Sequence, residues 1–196
     1  MENRERAILD AATQVFLRYG VKRASMGDIA AEAGVARQTL YNFYSNKDDI
    51  LRGSIRMYGE DAMDAIKAEL PKAPTLGAQV DIILREMVIK PFVFLHTSPN
   101  AQDLFEGYNA AGRSEMEANY QAFQTTFQKV FEPFAASLRT QGLTPALLAE
   151  LLRRSASAIK HQAKDERHLS KLAAGLRSMA VAATGEGATK GQKQGA

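Results

Sequence analysis

Between Ser25 and Leu51 the chain reads SMGDIAAEAGVARQTLYNFYSNKDDIL, and this stretch constrains the fold more than any other. Ser25 and Asp28 stand at the Ser-x-x-Asp spacing at which each side chain covers an exposed backbone N–H of a helix start, so a helix begins near Met26. Ile29, Ala30 and Ala33 give that helix one buried stripe, and the small Ala30 admits a second helix at close range. Gly34 supplies the left-handed backbone that ends it. Val35 plugs the core, and a new short helix runs from about Arg37 to Tyr44 with Leu40 and Phe43 facing inward.

Two short helices joined this way form a helix-turn-helix, in which the N-terminal half of the second helix meets base edges in the major groove. Arg37, Gln38, Thr39 and Asn42 are left pointing outward there. Arg matches O6 and N7 of guanine, Gln or Asn matches N6 and N7 of adenine, and Thr touches the thymine methyl. Tyr41 and Lys47 read as phosphate contacts. Lys47 lies in the run Ser45-Asn46-Lys47-Asp48-Asp49 that caps the next helix, where N–H groups and the helix dipole favour a phosphate. Any one of these polar residues alone is as well explained as a solvated surface group. In combination with the turn glycine and both caps they point to DNA binding.

The first 55 or so residues resemble the DNA-binding domain of the tetracycline-repressor (TetR) family of bacterial regulators. The resemblance is carried by Ile8, Ala11, Ala12, Phe16 and Gly20, then DIAAEAGVA, then Thr39-Leu40-Tyr41 and Asn46-Lys47-Asp48-Asp49-Ile50-Leu51. It implies that the third helix reads bases through Arg37, Gln38, Thr39 and Asn42, while Ser25, Tyr41 and Lys47 hold phosphates. There are departures. Ala36 stands where such proteins often have a polar cap, so the third helix lacks a side-chain N-cap. Gly27 stands where some members carry a side chain that reaches DNA, so only its backbone can approach. Tyr44 replaces the usual Phe, which is tolerated if its hydroxyl reaches solvent.

A chain of 196 residues has room for one small DNA-binding unit and one larger helical core. The formal net charge of +3 permits nucleic-acid binding without arguing for it, so the placement of charges carries the inference. The absence of cysteine excludes disulfides, thiol nucleophiles and cysteine-ligated zinc. His96, His161 and His168 fit no metal-ligand spacing, and no hydrolase, P-loop or dinucleotide motif is present. No catalytic residue, metal or cofactor is expected. The start, MENRERAILDAA, lacks a signal-peptide apolar core and no run is long enough to cross a bilayer, which predicts a cytoplasmic protein without a membrane partner.

Proline and glycine punctuation divides the remainder into helical segments. Helices are expected at about 3–19, 26–33, 37–44, 46–70, 75–95, 99–110, 113–141, 145–164 and 166–183, roughly nine in all, with Ser98-Pro99 and Thr144-Pro145 as N-cap and first-turn pairs. The expected fold is all-α: a three-helix DNA-binding domain over 1–46, an effector-binding and dimerisation domain over 47–184, and a flexible polar tail over 185–196. Met116, Tyr120, Phe123 and Phe127 share one helical face. That face either packs as core or lines an apolar effector cavity, which the resemblance implies among the middle helices with Met87, Phe92, Phe94, Phe105 and Tyr108 contributing. The abundance of aromatics and Met points to a hydrophobic or aromatic effector.

On the last two helices Leu148, Leu152, Ser155 and Ile159, and Leu169, Leu172, Leu176 and Met179, form two apolar stripes. They are either buried within one chain or paired across a two-fold axis in a four-helix bundle, and the resemblance implies the homodimer. The reading as a whole is a homodimeric repressor on a palindromic operator, its two third helices about 34–36 Å apart, or somewhat more if the dimer holds the heads apart. The alternatives are an activator or co-repressed regulator, a small-molecule-binding or enzymatic helical protein with an inherited DNA-binding head, and an architectural DNA-binding dimer without an effector.

Overall fold

The computed structural model describes residues 3–96, 99–102 and 110–186, and all of their regular structure is helical. In chain order the helices are α1 (Asn3–Tyr19), α2 (Met26–Glu32), α3 (Arg37–Phe43), α4 (Lys47–Glu69), α5 (Leu76–Leu84), α6 (Lys90–Leu95), α7 (Ala110–Phe131), α8 (Ala135–Thr140), α9 (Pro145–Gln162) and α10 (Glu166–Thr184). The chain divides into two compact units. A head unit takes the described residues up to Asp61 and those within Val93–Asn119, and a second unit takes Ala62–Phe92 and the residues from Tyr120 onward.

In the head, α1 buries Ile8, Leu9, Ala12, Val15 and Phe16 on one face, and these pack with Val21, Ile29, Ala30 and Leu40. The turn between α2 and α3 needs a positive φ at residue 34, which glycine adopts without the Cβ penalty (φ 65°). The Val35 N–H then bonds the Ala30 carbonyl at 3.0 Å. Asn46 caps α4, its Oδ1 accepting the Asp49 N–H at 2.9 Å. Ile50, Leu51, Ile55 and Met57 of α4 complete the same core, so the packing of the head continues past residue 46, where sequence places the boundary. The reason is periodicity, because α4 presents its apolar stripe to the head over its first turns. At Gly59, α7 comes so close to α4 that an added Cβ would lie 2.1 Å from Oδ1 of Asn119. The Asn119 amide uses that space to donate to the Ile55 carbonyl at 3.0 Å.

In the second unit a core of Ile66, Val80, Ile83, Leu84, Val88, Phe127, Phe131, Leu138 and Leu169 is completely or almost completely buried. The segment expected as one helix over 75–95 is continuous but widens through Arg85–Ile89 into a π turn, closed by the Lys90 N–H on the Arg85 carbonyl. Pro91 accounts for the widening, since its ring would clash with the Met87 carbonyl in a regular α-helix. The helix expected over 113–141 begins earlier, at Ala110, and is broken by a 3₁₀ turn over Glu132–Phe134. Pro133 cannot donate within the helix, whereas Gly112, read as a turn signal, is carried inside it. Thr144 and Asp165 cap α9 and α10 by accepting the N–H groups of Leu147 (3.1 Å) and His168 (2.7 Å). Most of the helix expected over 99–110, the Ser98 cap and the tail from 187 lie outside the described residues. Among the described residues no helix is long and apolar enough to cross a membrane.

Candidate nucleic-acid interface

The capping pair read from sequence is present in full. The Asp28 N–H donates to Ser25 Oγ at 3.2 Å, and the Ser25 N–H and hydroxyl donate to Asp28 Oδ2 at 3.0 and 2.6 Å. These two Ser25 donors hold the Asp28 carboxyl below its ordinary range, with a smaller contribution from Arg37. The Ser25 hydroxyl proton is therefore committed to Asp28, which leaves an oxygen lone pair facing out.

On α3, Leu40 is fully buried and Phe43 half-buried, which turns Arg37, Gln38, Tyr41 and Asn42 to solvent with Thr39 at the margin. Ala36 gives no side-chain cap, as its identity requires. The amides of Gln38 and Asn42, one turn apart, meet at 3.3 Å and so hold one another in place. The Arg37 guanidinium rests against Gly27, where a Cβ would lie 2.7 Å from one of its nitrogens and would be relieved by a shift of the flexible arginine tip. The Lys47 ammonium donates to the carbonyls of Lys22 (3.1 Å) and Ala24 (2.8 Å), tying the start of α4 to the loop before α2. One of its three N–H donors is left over. The Tyr44 hydroxyl does not simply reach solvent. It donates to Glu5 at 2.8 Å, and partial burial together with that carboxylate raises its pKa above the ordinary phenol range.

Residues 8–53, which make up this head from the middle of α1 into α4, match the family model described as bacterial regulatory proteins, tetR family. The head is a TetR-family DNA-binding domain. Among curated TetR-type relatives the chain is similar to the HTH-type transcriptional repressor LfrR of Mycolicibacterium smegmatis, 38% identical over 87 residues, 44% of this chain and 43% of that one. It is also similar to the HTH-type transcriptional regulator PksA of Bacillus subtilis, 28% identical over 116 residues, 54% and 56% of the two chains. The chain thus spans about half the length of these relatives. Among solved structures it shares its fold with the FadR regulator of Bacillus subtilis in complex with stearoyl-CoA, at TM-score 0.66 and 17% identity, covering 91% of this chain and 98% of that one. A regulator from Saccharomonospora viridis in complex with choline aligns with TM-score 0.66 and 20% identity over 89% and 94% of the two chains.

The described residues among those expected around an effector are divided between the two units. Met87, Phe92, Phe123 and Phe127 are buried in the core of the second unit, Phe127 stacked on Phe131 with ring centroids 6.2 Å apart. Met116 belongs to the head unit, and Phe105 and Tyr108 lie outside the described residues. Tyr120 has a role that its position in an aromatic stripe did not suggest. It accepts a hydrogen bond from the buried Lys160 at 3.0 Å, and the cations of Lys160 and Arg153 lie 5.5 and 6.0 Å from its ring centroid. Arg153 also donates to Gln124 at 2.7 Å. The sequence signal was available, since Arg153, Ala156 and Lys160 fall on one face of α9.

The two stripes of α9 and α10 are split by the same geometry. Leu148, Leu152 and Leu169 are buried in the chain's own core, while Ser155, Ile159, Leu172 and Leu176 are half-buried. Met179 is 69% exposed, and the outward face of α9 carries Leu147 and Leu151 at 41 and 48% exposure. On α9 the four-three count follows the inward face and passes over Leu147 and Leu151 one position away, whereas on α10 it runs from buried Leu169 to exposed Met179.

Proposed function

We propose that this chain is a cytoplasmic, homodimeric transcriptional repressor that binds a palindromic operator and leaves it when a small-molecule effector binds. The observation that carries the reading is α3, which projects Arg37, Gln38 and Asn42 from a head whose buried Leu40 fixes their orientation. Arg37, Gln38, Thr39 and Asn42 read bases, Tyr41 and the third donor of Lys47 meet phosphates, Ser25 does so by turning its hydroxyl proton from Asp28 to the phosphate, and Gly27 admits the backbone and Arg37 together. The ligands named with two similarly folded proteins, stearoyl-CoA and choline, support an effector-responsive role. The exposed Leu147 and Leu151 on α9 and Met179 on α10, with half-buried Leu172 and Leu176, leave apolar side chains available to a two-fold partner.

Fluorescence anisotropy on the DNA flanking the chain's own gene, against scrambled DNA and across a salt series, tests the reading. Sequence-dependent binding supports it. Binding equal on both DNAs at every salt concentration, followed by no enrichment in a random-sequence selection, overturns it. In the same assay Arg37→Ala is expected to cost about 1–3 kcal/mol on operator and to relax preference at one base pair. Equal losses on operator and scrambled DNA would remove Arg37 from the base-reading set. Lys47→Ala is expected to weaken both DNAs alike and to flatten the salt slope by about one.

A further inference from the structure

The head unit contains a cleft of about 630 Å3, within the size range of small-molecule sites. Its walls come from α1 and the end of α2 on one side and from α4, α6 and α7 on the other. Aromatic and thioether side chains form much of it, with Tyr58 and Phe94 6.5 Å apart between ring centroids.

Two independent features mark it as more than a packing gap. The first is charge. Asp10, Glu32 and Asp61 line the cleft, and no Lys, Arg or His among the described residues does so. Asp61 is held by Arg6 through two 2.7 Å hydrogen bonds, and Glu32 by Arg18 at 3.0 Å. Asp10 has only the edge of Arg6, at 4.0 Å, so one negative charge is left largely uncompensated. The second is Ser54, which lines the cleft at 3% exposure with a hydroxyl that has no hydrogen-bond partner. A helical serine ordinarily satisfies itself on the carbonyl one turn back, and a buried hydroxyl left unpaired is costly.

We propose that this cleft binds an organic monocation, an aryl-alkyl ammonium carrying a second hydrogen-bonding group. Its charge pairs with Asp10, its apolar body lies against Tyr58 and Phe94, where aromatic faces also attract cations, and its polar group satisfies Ser54. The consequence for DNA rests on the repressor reading. Because the occupant touches α1 and α2 of the DNA-binding head as well as α4, its affinity depends on their separation, and DNA binding shifts that affinity reciprocally.

Calorimetric titration of the full chain with three probes tests the assignment: tyramine, phenethylamine, which lacks the hydroxyl, and 3-(4-hydroxyphenyl)propionate, which exchanges the ammonium for a carboxylate. Tyramine is expected to bind roughly tenfold or more tighter than the carboxylate and about fivefold tighter than phenethylamine. Asp10→Asn should abolish the first preference and Ser54→Ala the second. Asp10 is exposed and Ser54 makes no bond, so both variants should fold as the parent does, which a thermal melt checks. No saturable tyramine binding, or preferences that survive both substitutions, overturns the site. Operator anisotropy measured in parallel separates the two readings. Sequence-specific DNA binding without tyramine binding leaves the regulator and removes the site. Tyramine binding that follows the Asp10 and Ser54 pattern while DNA affinity stays constant keeps the site and removes its control of DNA.

Discussion

Phe127→Ala should lower the stability of the second unit by about 3–5 kcal/mol. Phe127 is fully buried and stacked on Phe131, so truncation loses the transfer energy of the ring and leaves a cavity that its well-packed neighbours cannot close. Urea denaturation followed by far-ultraviolet circular dichroism reads the change. The result also decides between the two sequence readings of the α7 stripe. A side chain facing an open effector cavity has few atoms around it to lose, and a cost below about 1.5 kcal/mol would place Phe127 on such a wall.

A comparable loss is expected when the double variant Arg85→Ala/Lys90→Ala is made. Glu86 is 2% exposed within the π turn, and its carboxylate is met by Arg85 at 3.1 Å and Lys90 at 2.7 Å. Either single substitution leaves one cation in place and should be mild. Removing both leaves a buried carboxylate without a partner, which costs about 3–5 kcal/mol. Adding Glu86→Met should recover most of that loss, because the penalty belongs to the stranded charge and not to missing volume. If the triple variant is no more stable than the double, the two cations act through their own packing and the ion-pair account fails.

The head was legible in the sequence because its determinants are local. A Ser-x-x-Asp cap, a glycine with positive φ and the inward placement of Leu40 each act within a few residues, so Ser25, Gly34 and α3 could be placed by spacing alone. The interruptions at Pro133 and before Pro91 are also local, but the outcome depended on context. One proline broke its helix while the other was absorbed by a π turn, and spacing does not distinguish the two.

Contacts between distant segments were decided only by the tertiary structure. Periodicity says that a stripe is buried without saying against what, so the sequence leaves Phe127 between core and ligand wall and Leu148 between core and dimer face, and only their neighbours put both in the chain's own core. The contact of Arg37 with Gly27, the Gly59 gap filled by Asn119, the Lys160 cation on Tyr120 and the unpaired Ser54 hydroxyl all depend on side chains meeting across separate helices. The sequence by itself determined an all-helical chain headed by a helix-turn-helix, since caps, turns and apolar periods are short-range properties of the backbone. Which surfaces remained open for DNA, ligand and partner was decided by packing, because a side chain spent on the chain's own core is no longer available to anything else.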